Sequence, residues 1–302
     1  MPSMDIEFTY TPDVDQVLSF SLPEKSVRGR IARIGPVLDD ILQAHAYPPA
    51  IRRLLAEALI LTTLMGTLIS KSSGQLTMQV QSASGIVELL VCDFRESRVR
   101  GYVQFRDDAV LQHDRLPDFG RLFGDGRLVV TFDMAASKER YQGIVELRGT
   151  SLTQVVRQYF VQSEQIPTML ETAVDIRPDG ATASGTLLQY LPDGEEGRTR
   201  LDNLDDEFGW TCVSQLSKAA DAPSVLLEEV AFRPALRRLF PDEDTIVVHE
   251  TEMLQKGCRC SLEHFDDVLS RFPKEDRREM QNEDGVILVD CQFCSRQFAI
   301  QD

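Results

Sequence analysis

Cys258-Arg259-Cys260 and Cys291-Gln292-Phe293-Cys294 set four thiols in two short-spaced pairs, with thirty residues between the pairs. Zinc favours four tetrahedral thiolate or imidazole ligands, and two such pairs close its shell with no position left open for water or substrate. The chemistry this implies is structural or sensing, not hydrolytic. The candidate ligands are Cys258, Cys260, Cys291 and Cys294, holding one Zn2+ per chain. His249 and His264 flank the first pair and could replace a thiolate, but the four cysteines already complete the set. From spacing alone two readings stay open: a permanently filled zinc ribbon, and a redox sensor.

Cys92 falls in an expected strand and Cys212 in an expected helix, where each reads as a small buried apolar residue. His45 and His113 have no acid or nucleophile partner recognisable in sequence and receive no role. The rival enzymatic reading is a thiol-disulfide oxidoreductase built on Cys291 and Cys294. That class sets its C-x-x-C at the start of a helix, whereas here the motif follows an expected strand, so no enzyme is expected. No glycine-rich phosphate loop appears, and an ATP-driven machine is not expected either.

The elements that must carry these cysteines are legible in outline. After a short acidic N-terminal arm, residues 26–34 read as a strand and 36–44 as a short helix. Residues 50–69 carry apolar side chains almost all the way round, the pattern of a helix enclosed by its own domain. Period-two alternation at 75–81, 86–94 and 99–105 predicts neighbouring strands of one antiparallel sheet, followed by strands at 128–132 and 143–147. Ser151 is placed to cap a helix that ends before Pro167, and 172–176 with 181–190 form a strand pair turning at Pro178-Asp179-Gly180.

The expected fold is therefore α+β. A large first domain spans 1–193, a helical linker 194–240, and a small cysteine-bearing unit 241–302. The linker is awkward as a spacer, because Phe208, Trp210, Leu226, Leu227 and Phe232 need something to pack on.

Bulk properties exclude several classes. The net charge of −16 and pI near 4.7 repel a phosphate backbone, and residues 241–302 carry 15 acidic against 7 basic side chains, so nucleic acid is not an expected partner. The apolar run 54–69 is broken by Glu57 and is shorter than the roughly 20 residues a membrane-spanning helix needs. The N-terminus lacks the basic start and apolar core of a secretory signal, which predicts a cytoplasmic protein. Six cysteines in such a chain point to metal or redox chemistry and away from structural disulfides.

The chain resembles the redox-regulated chaperones of the heat shock protein 33 family. The C-x-C, the intervening length, the C-x-x-C with Phe293 inside it, and Gly285-Val286-Ile287-Leu288-Val289 leading into Cys291 all carry the resemblance. So do Val27-Arg28-Gly29-Arg30, Tyr47-Pro48 with Leu54-Leu55-Ala56-Glu57-Ala58, Val99-Arg100-Gly101, Tyr141-Gln142-Gly143, Tyr159-Phe160 and the stretch from Ser163 to Thr168. Leu262-Glu263-His264 departs from it, standing where the family often carries a basic stretch.

The resemblance implies an ATP-independent holdase, inactive while reduced and zinc-bound. Oxidation of the four cysteines to two disulfides would expel zinc and unfold the zinc unit, then the linker. Apolar surface for unfolding client proteins would be exposed, and the active form would tend to dimerise. The disulfides expected on this view are Cys258–Cys260 and Cys291–Cys294. A one-residue spacing closes a small strained ring, so the second pair is expected to oxidise first.

Overall fold

In the computed structural model, residues 13–69, 74–107, 117–134, 139–191, 211–212, 214–215, 225, 227–228 and 231–301 are described. Helix α1 (Pro36–Leu42) leads into α2 (Pro49–Gly66), which runs from a proline-initiated first turn to Gly66. Fifteen of its eighteen residues are buried. Enclosing a helix on every side takes two layers, and two sheets, antiparallel but for one short edge pairing, supply them.

The first sheet has the order β10-β1-β2-β9-β8, from β1 (Gln16–Leu22), β2 (Val27–Ile34), β8 (Thr168–Arg177), β9 (Gly180–Tyr190) and β10 (Val247–Met253). The second has the order β11-β5-β4-β3-β6-β7. It comprises β3 (Gly74–Gln81), β4 (Val87–Arg95), β5 (Arg98–Phe105), β6 (Arg127–Met134), β7 (Glu139–Glu146) and the two-residue β11 (Gln255–Lys256). Helix α2 lies against β2, β8 and β9 on one flank and against β3, β4 and β5 on the other. The α+β architecture expected from sequence is thus the one observed.

Two local devices fit the helix between the sheets. Thr62 and Thr63 turn their hydroxyls back onto Ala58 O and Leu59 O at 2.7 and 2.8 Å, so neither buried hydroxyl is left without a partner. Glu57 is buried and accepts both the N–H and the hydroxyl of Thr153, at 2.9 and 2.7 Å, and so caps the first turn of α4 (Leu152–Tyr159), the helix that follows the short α3 (Phe119–Phe123) in the chain. Burial pushes its carboxyl up, against the pull of those two bonds. Ser151 caps the same helix by accepting from Gln154 N–H, as its position in sequence predicts.

Three strands of the two large sheets escape the sequence reading. β1 lies in what reads as the N-terminal arm, although Leu18, Phe20 and Leu22 alternate and are all buried. β10 and β11 belong to the stretch assigned to the C-terminal unit, yet β10 extends the first sheet beside β1 and β11 pairs in parallel with β5. Short polar edge strands carry little hydrophobic signal, because their pairing rests on backbone hydrogen bonds.

The outer face of the first sheet, turned away from α2, is covered by α5 (Phe232–Leu239). Phe232, Ala235, Leu236, Leu239 and Phe240 form one buried cluster with Leu18, Phe20, Leu22, Val27, Ile31 and Leu188. The Phe20 and Phe240 rings lie 5.6 Å apart. Phe232 N–H donates to Asp13 Oδ2 at 2.7 Å, and the Arg33 guanidinium lies over its ring at 5.5 Å.

On the opposite flank of the molecule the packing is tight. A Cβ on Gly101 of β5 would stand 2.7 Å from Cys92 Sγ and 3.0 Å from Leu55 Cδ1. Gly101→Val is therefore expected to cost on the order of 2 kcal/mol or more through overpacking, read as a lower urea midpoint with an unchanged slope.

Candidate metal centre

The C-terminal unit is built from α6 (Leu262–Leu269), α7 (Lys274–Met280) and the antiparallel hairpin of β12 (Val286–Asp290) and β13 (Gln297–Gln301). Its buried apolar core is Leu269, Ile287 and Ile300, with Phe265 and Val289 packed against it and the Phe265 and Phe298 rings 5.0 Å apart. Three fully enclosed aliphatic side chains are little to offset the ordering of some forty residues.

The hairpin carries one cysteine pair at its tip. Cys291 N–H donates to Arg296 O at 2.9 Å, while Cys294 N–H and Ser295 N–H donate to Cys291 O at 3.3 and 2.8 Å. Ser295 adopts φ +55°, which closes the turn. The other pair follows β11 directly, so the two pairs approach each other from different chain segments.

The four Sγ atoms lie within 4.8 Å of one another. Cys258 and Cys260 are 3.2 Å apart, Cys258 and Cys291 3.5 Å, and Cys260 and Cys294 3.4 Å. These are far beyond the ~2.05 Å of a disulfide and close to the ~3.8 Å edge of a tetrahedron whose metal–sulfur bonds are about 2.3 Å. The set thus fits a four-thiolate metal site.

Burial pushes the Cys258 thiol up, but the Cys260 N–H and the neighbouring thiols outweigh it and bring it down to about 7. Burial and the interaction with Cys258 push Cys260 up, and burial raises Cys291.

Neither flanking histidine joins the set. His249 is on β10, 2.9 Å from Ser21 Oγ, and the His264 ring rests beside Phe265. Cys92 is wholly buried under α2 with its thiol pushed up, and Cys212 is buried with Sγ 3.9 Å from Lys25 O. Both match their expected role as small apolar residues. Of the linker candidates, Phe232 is buried on the first sheet and Leu227 is half-buried. Phe208, Trp210, Leu226 and His113 lie outside the described residues.

The centre is seated against β5 and β4. Gly257 N–H donates to Val99 O at 2.8 Å, and Lys256 Nζ to Asp40 O at 2.7 Å. Arg259, the residue between the first two cysteines, donates to Gln75 Oε1 at 2.8 Å and to Asp93 Oδ2 at 3.0 Å. Arg100 donates twice to the same Asp93 oxygen, at 2.8 and 2.6 Å, while Thr77 donates to the other at 2.8 Å. Phe293, inside the C-x-x-C, lies under the Arg100 guanidinium at 3.8 Å and meets Tyr102 edge-on at 5.0 Å.

His45, given no role from sequence, is 2.7 Å from Gln292 O through Nε2, and Ser295 Oγ donates to Ala44 O at 2.5 Å. These contacts were not read from sequence. The signal was in Arg100 and Phe293, both inside motifs, but their partners Asp93 and Tyr102 are visible only once the strands are paired.

Two sheets enclosing a helix, with a four-thiol centre hung from the edge strand β11, define a mixed α+β protein with a C-terminal cluster of four cysteines able to hold a metal ion. A family model described as Hsp33 protein matches residues 15–301. The 33 kDa chaperonin of Caulobacter vibrioides is 34% identical over 290 residues, 93% of each chain. That of Yersinia pestis (strain Pestoides F) is 32% identical over 294 residues, covering 94% of this chain and 91% of its own. The crystal structure of the 33 kDa chaperonin (heat shock protein 33 homolog) from Thermotoga maritima matches with a TM-score of 0.77 at 22% identity, over 95% of this chain and 94% of that one. The chain belongs to the Hsp33 family.

Because the C-terminal core is so small, chelation of bound metal is expected to remove amide-exchange protection from residues 258–301 while the α2 core keeps its own. Hydrogen-exchange mass spectrometry reads both at once. Phe293→Ala should raise exchange at the C-x-x-C tip and β5 with metal still bound, since it removes the ring between Arg100 and Tyr102.

Proposed function

We propose that this protein is a redox-regulated, ATP-independent holdase, inactive when reduced and zinc-bound, that protects unfolding proteins during oxidative stress. The observation that carries the reading is the gathering of four thiols from two chain segments around one point in a unit whose own apolar core is three residues. Zinc held there by Cys258, Cys260, Cys291 and Cys294 would supply on the order of 10 kcal/mol of folding free energy. That is comparable with the whole stability of an ordinary domain.

In this reading oxidation removes the ligands. Two zinc-bound thiolates lose two electrons to form each disulfide, and one peroxide takes them with two protons from solvent to give two waters, so the pairs Cys258–Cys260 and Cys291–Cys294 consume two peroxides per chain. Cys291–Cys294 forms first, since its two-residue spacing closes a less strained ring. A disulfide sulfur no longer serves as a thiolate ligand, so zinc is released and the unit loses its order.

Loss of the unit frees β11 from β5 and Arg259 from Gln75 of β3 and Asp93 of β4, and beyond them β10 from β1. Upstream of β10 lies α5, and its departure would uncover Leu18, Phe20, Leu22, Val27, Ile31 and Leu188, an apolar sheet face suited to unfolded clients. The same face would favour a homodimer of the oxidised chain. Residues 1–193 then serve as the client-binding domain, 194–240 as the redox-sensitive linker with Phe208, Trp210, Leu226, Leu227 and Phe232 as its apolar contacts, and 241–302 as the switch. A cytoplasmic location and the absence of catalysis belong to the same reading.

The test measures zinc content and suppression of aggregation of a denatured client on one sample, before and after peroxide with mild warming. One zinc per chain, lost as holding activity appears, is the expected result. Retained zinc with no activity gained would sink the switch and leave a structural zinc site. Cys291→Ser should bind zinc at least about tenfold more weakly and hold clients without oxidant, because three thiolates leave the shell incomplete.

A further inference from the structure

Where the C-x-C segment meets the hairpin of β4 and β5, a cavity of about 230 Å3 is lined by Asp93, Arg95, Glu96, Arg98, Arg100, Gly257 and Arg259. Four guanidinium groups face two carboxylates, in a chain whose net charge is −16. Both carboxylates are already engaged. Asp93 is buried and takes Thr77 on one oxygen and Arg100 with Arg259 on the other, while Glu96 pairs with Arg95 at 3.3 Å. Glu252 of β10 is occupied by the Ser97 hydroxyl. The exposed Arg98 side chain has no hydrogen-bond or ion-pair partner among the described residues.

The surplus of positive charge is held in place by the fold. A Cβ on Gly257 would stand 2.8 Å from Arg98 Cβ, so the glycine lets the two segments close around the cavity. Like charges gathered in this way, with one of them unpaired, are the arrangement that a planar guanidinium fork uses to take an oxyanion.

We propose that this cavity is a binding site for a doubly charged tetrahedral oxyanion of the phosphate class, either free phosphate or a small phosphate monoester. Arg98 and Arg95 reach it from the hairpin, and Arg259 from between the cysteines. The ligand therefore bridges β5 and the metal centre. Since it would bind only the docked arrangement, at 100 times its dissociation constant it would favour docking about 100-fold. Binding to the reduced protein does not depend on the redox reading of the thiols; the link to activation does.

Isothermal titration of the reduced, zinc-loaded full chain, with ionic strength held constant by chloride, tests the site using inorganic phosphate and glycerol 3-phosphate as separate probes. Saturable binding with a dissociation constant below about 1 mM is expected for at least one probe, and the tighter one identifies the source. Arg98→Ala, an exposed truncation that leaves every strand pairing intact, should weaken it about tenfold to a hundredfold. Arg140→Ala, which breaks an exposed pair with Asp133 on another part of the second sheet, should leave it unchanged.

No saturable binding by either probe overturns the site, as does equal weakening by both variants. The oxidised, zinc-free protein should bind at least about tenfold more weakly, and equal affinity would overturn the bridging. Should zinc stay bound after oxidation, the redox reading fails while the titration of the reduced chain still decides the site.

Discussion

Because α2 presents apolar side chains in every direction, it can be ordered only if both flanks are walled off from water, and that requirement organises the domain around it. Two sheets do the walling, with Gly101 and the back-bonded Thr62 and Thr63 fitting the helix to them. A sheet with one face on α2 has a second face to account for. In the first sheet, β1, β2 and β9 place Phe20, Ile31 and Leu188 outward, and α5 covers them. The central helix therefore forces the existence of an apolar face whose cover is contributed by a separate segment.

That cover differs in kind from the core. Around α2 the apolar contacts are continuous from sheet to sheet, so removing any part exposes the rest. Helix α5 is eight residues long, sits on one face, and is followed by β10 at the edge of the sheet. Elements with few enclosing neighbours open at lower free energy than the core they lie on. The same holds for the thiol unit, whose buried apolar cluster among the described residues is Leu269, Ile287 and Ile300.

The contact between the thiol unit and the second sheet is mostly polar and centred on charge. Asp93 is buried with two arginines on one of its oxygens, one from the sheet and one from between the cysteines. Buried ion pairs of this kind contribute less to net stability than to fixing one arrangement over others, because desolvation offsets much of their attraction. Phe293 adds the apolar part, lodged between Arg100 and Tyr102. The residues that make this contact, Arg259 and Phe293, stand immediately next to the cysteines.

What the sequence by itself determined is whatever depends on local spacing or periodicity. The four ligand candidates, the enclosed helix, the strands from β2 to β9 and the Ser151 cap all follow from patterns a few residues long, since tetrahedral thiolate coordination, helical and strand periods and N-cap bonding act over that range. Only the tertiary structure decided what joins distant segments. β10 and β11 were missed as strands because edge pairing is a backbone interaction that most side chains permit, whereas β1, an inner strand whose Leu18, Phe20 and Leu22 do alternate, reads as part of the N-terminal arm. The partnership of Asp93 with Arg259, His45 with the C-x-x-C tip, and the cluster of arginines beside the metal centre each unite residues well over a hundred positions apart. No local pattern encodes such a pairing, because the free energy that selects it comes from burial and charge shared between surfaces that exist only after both have folded.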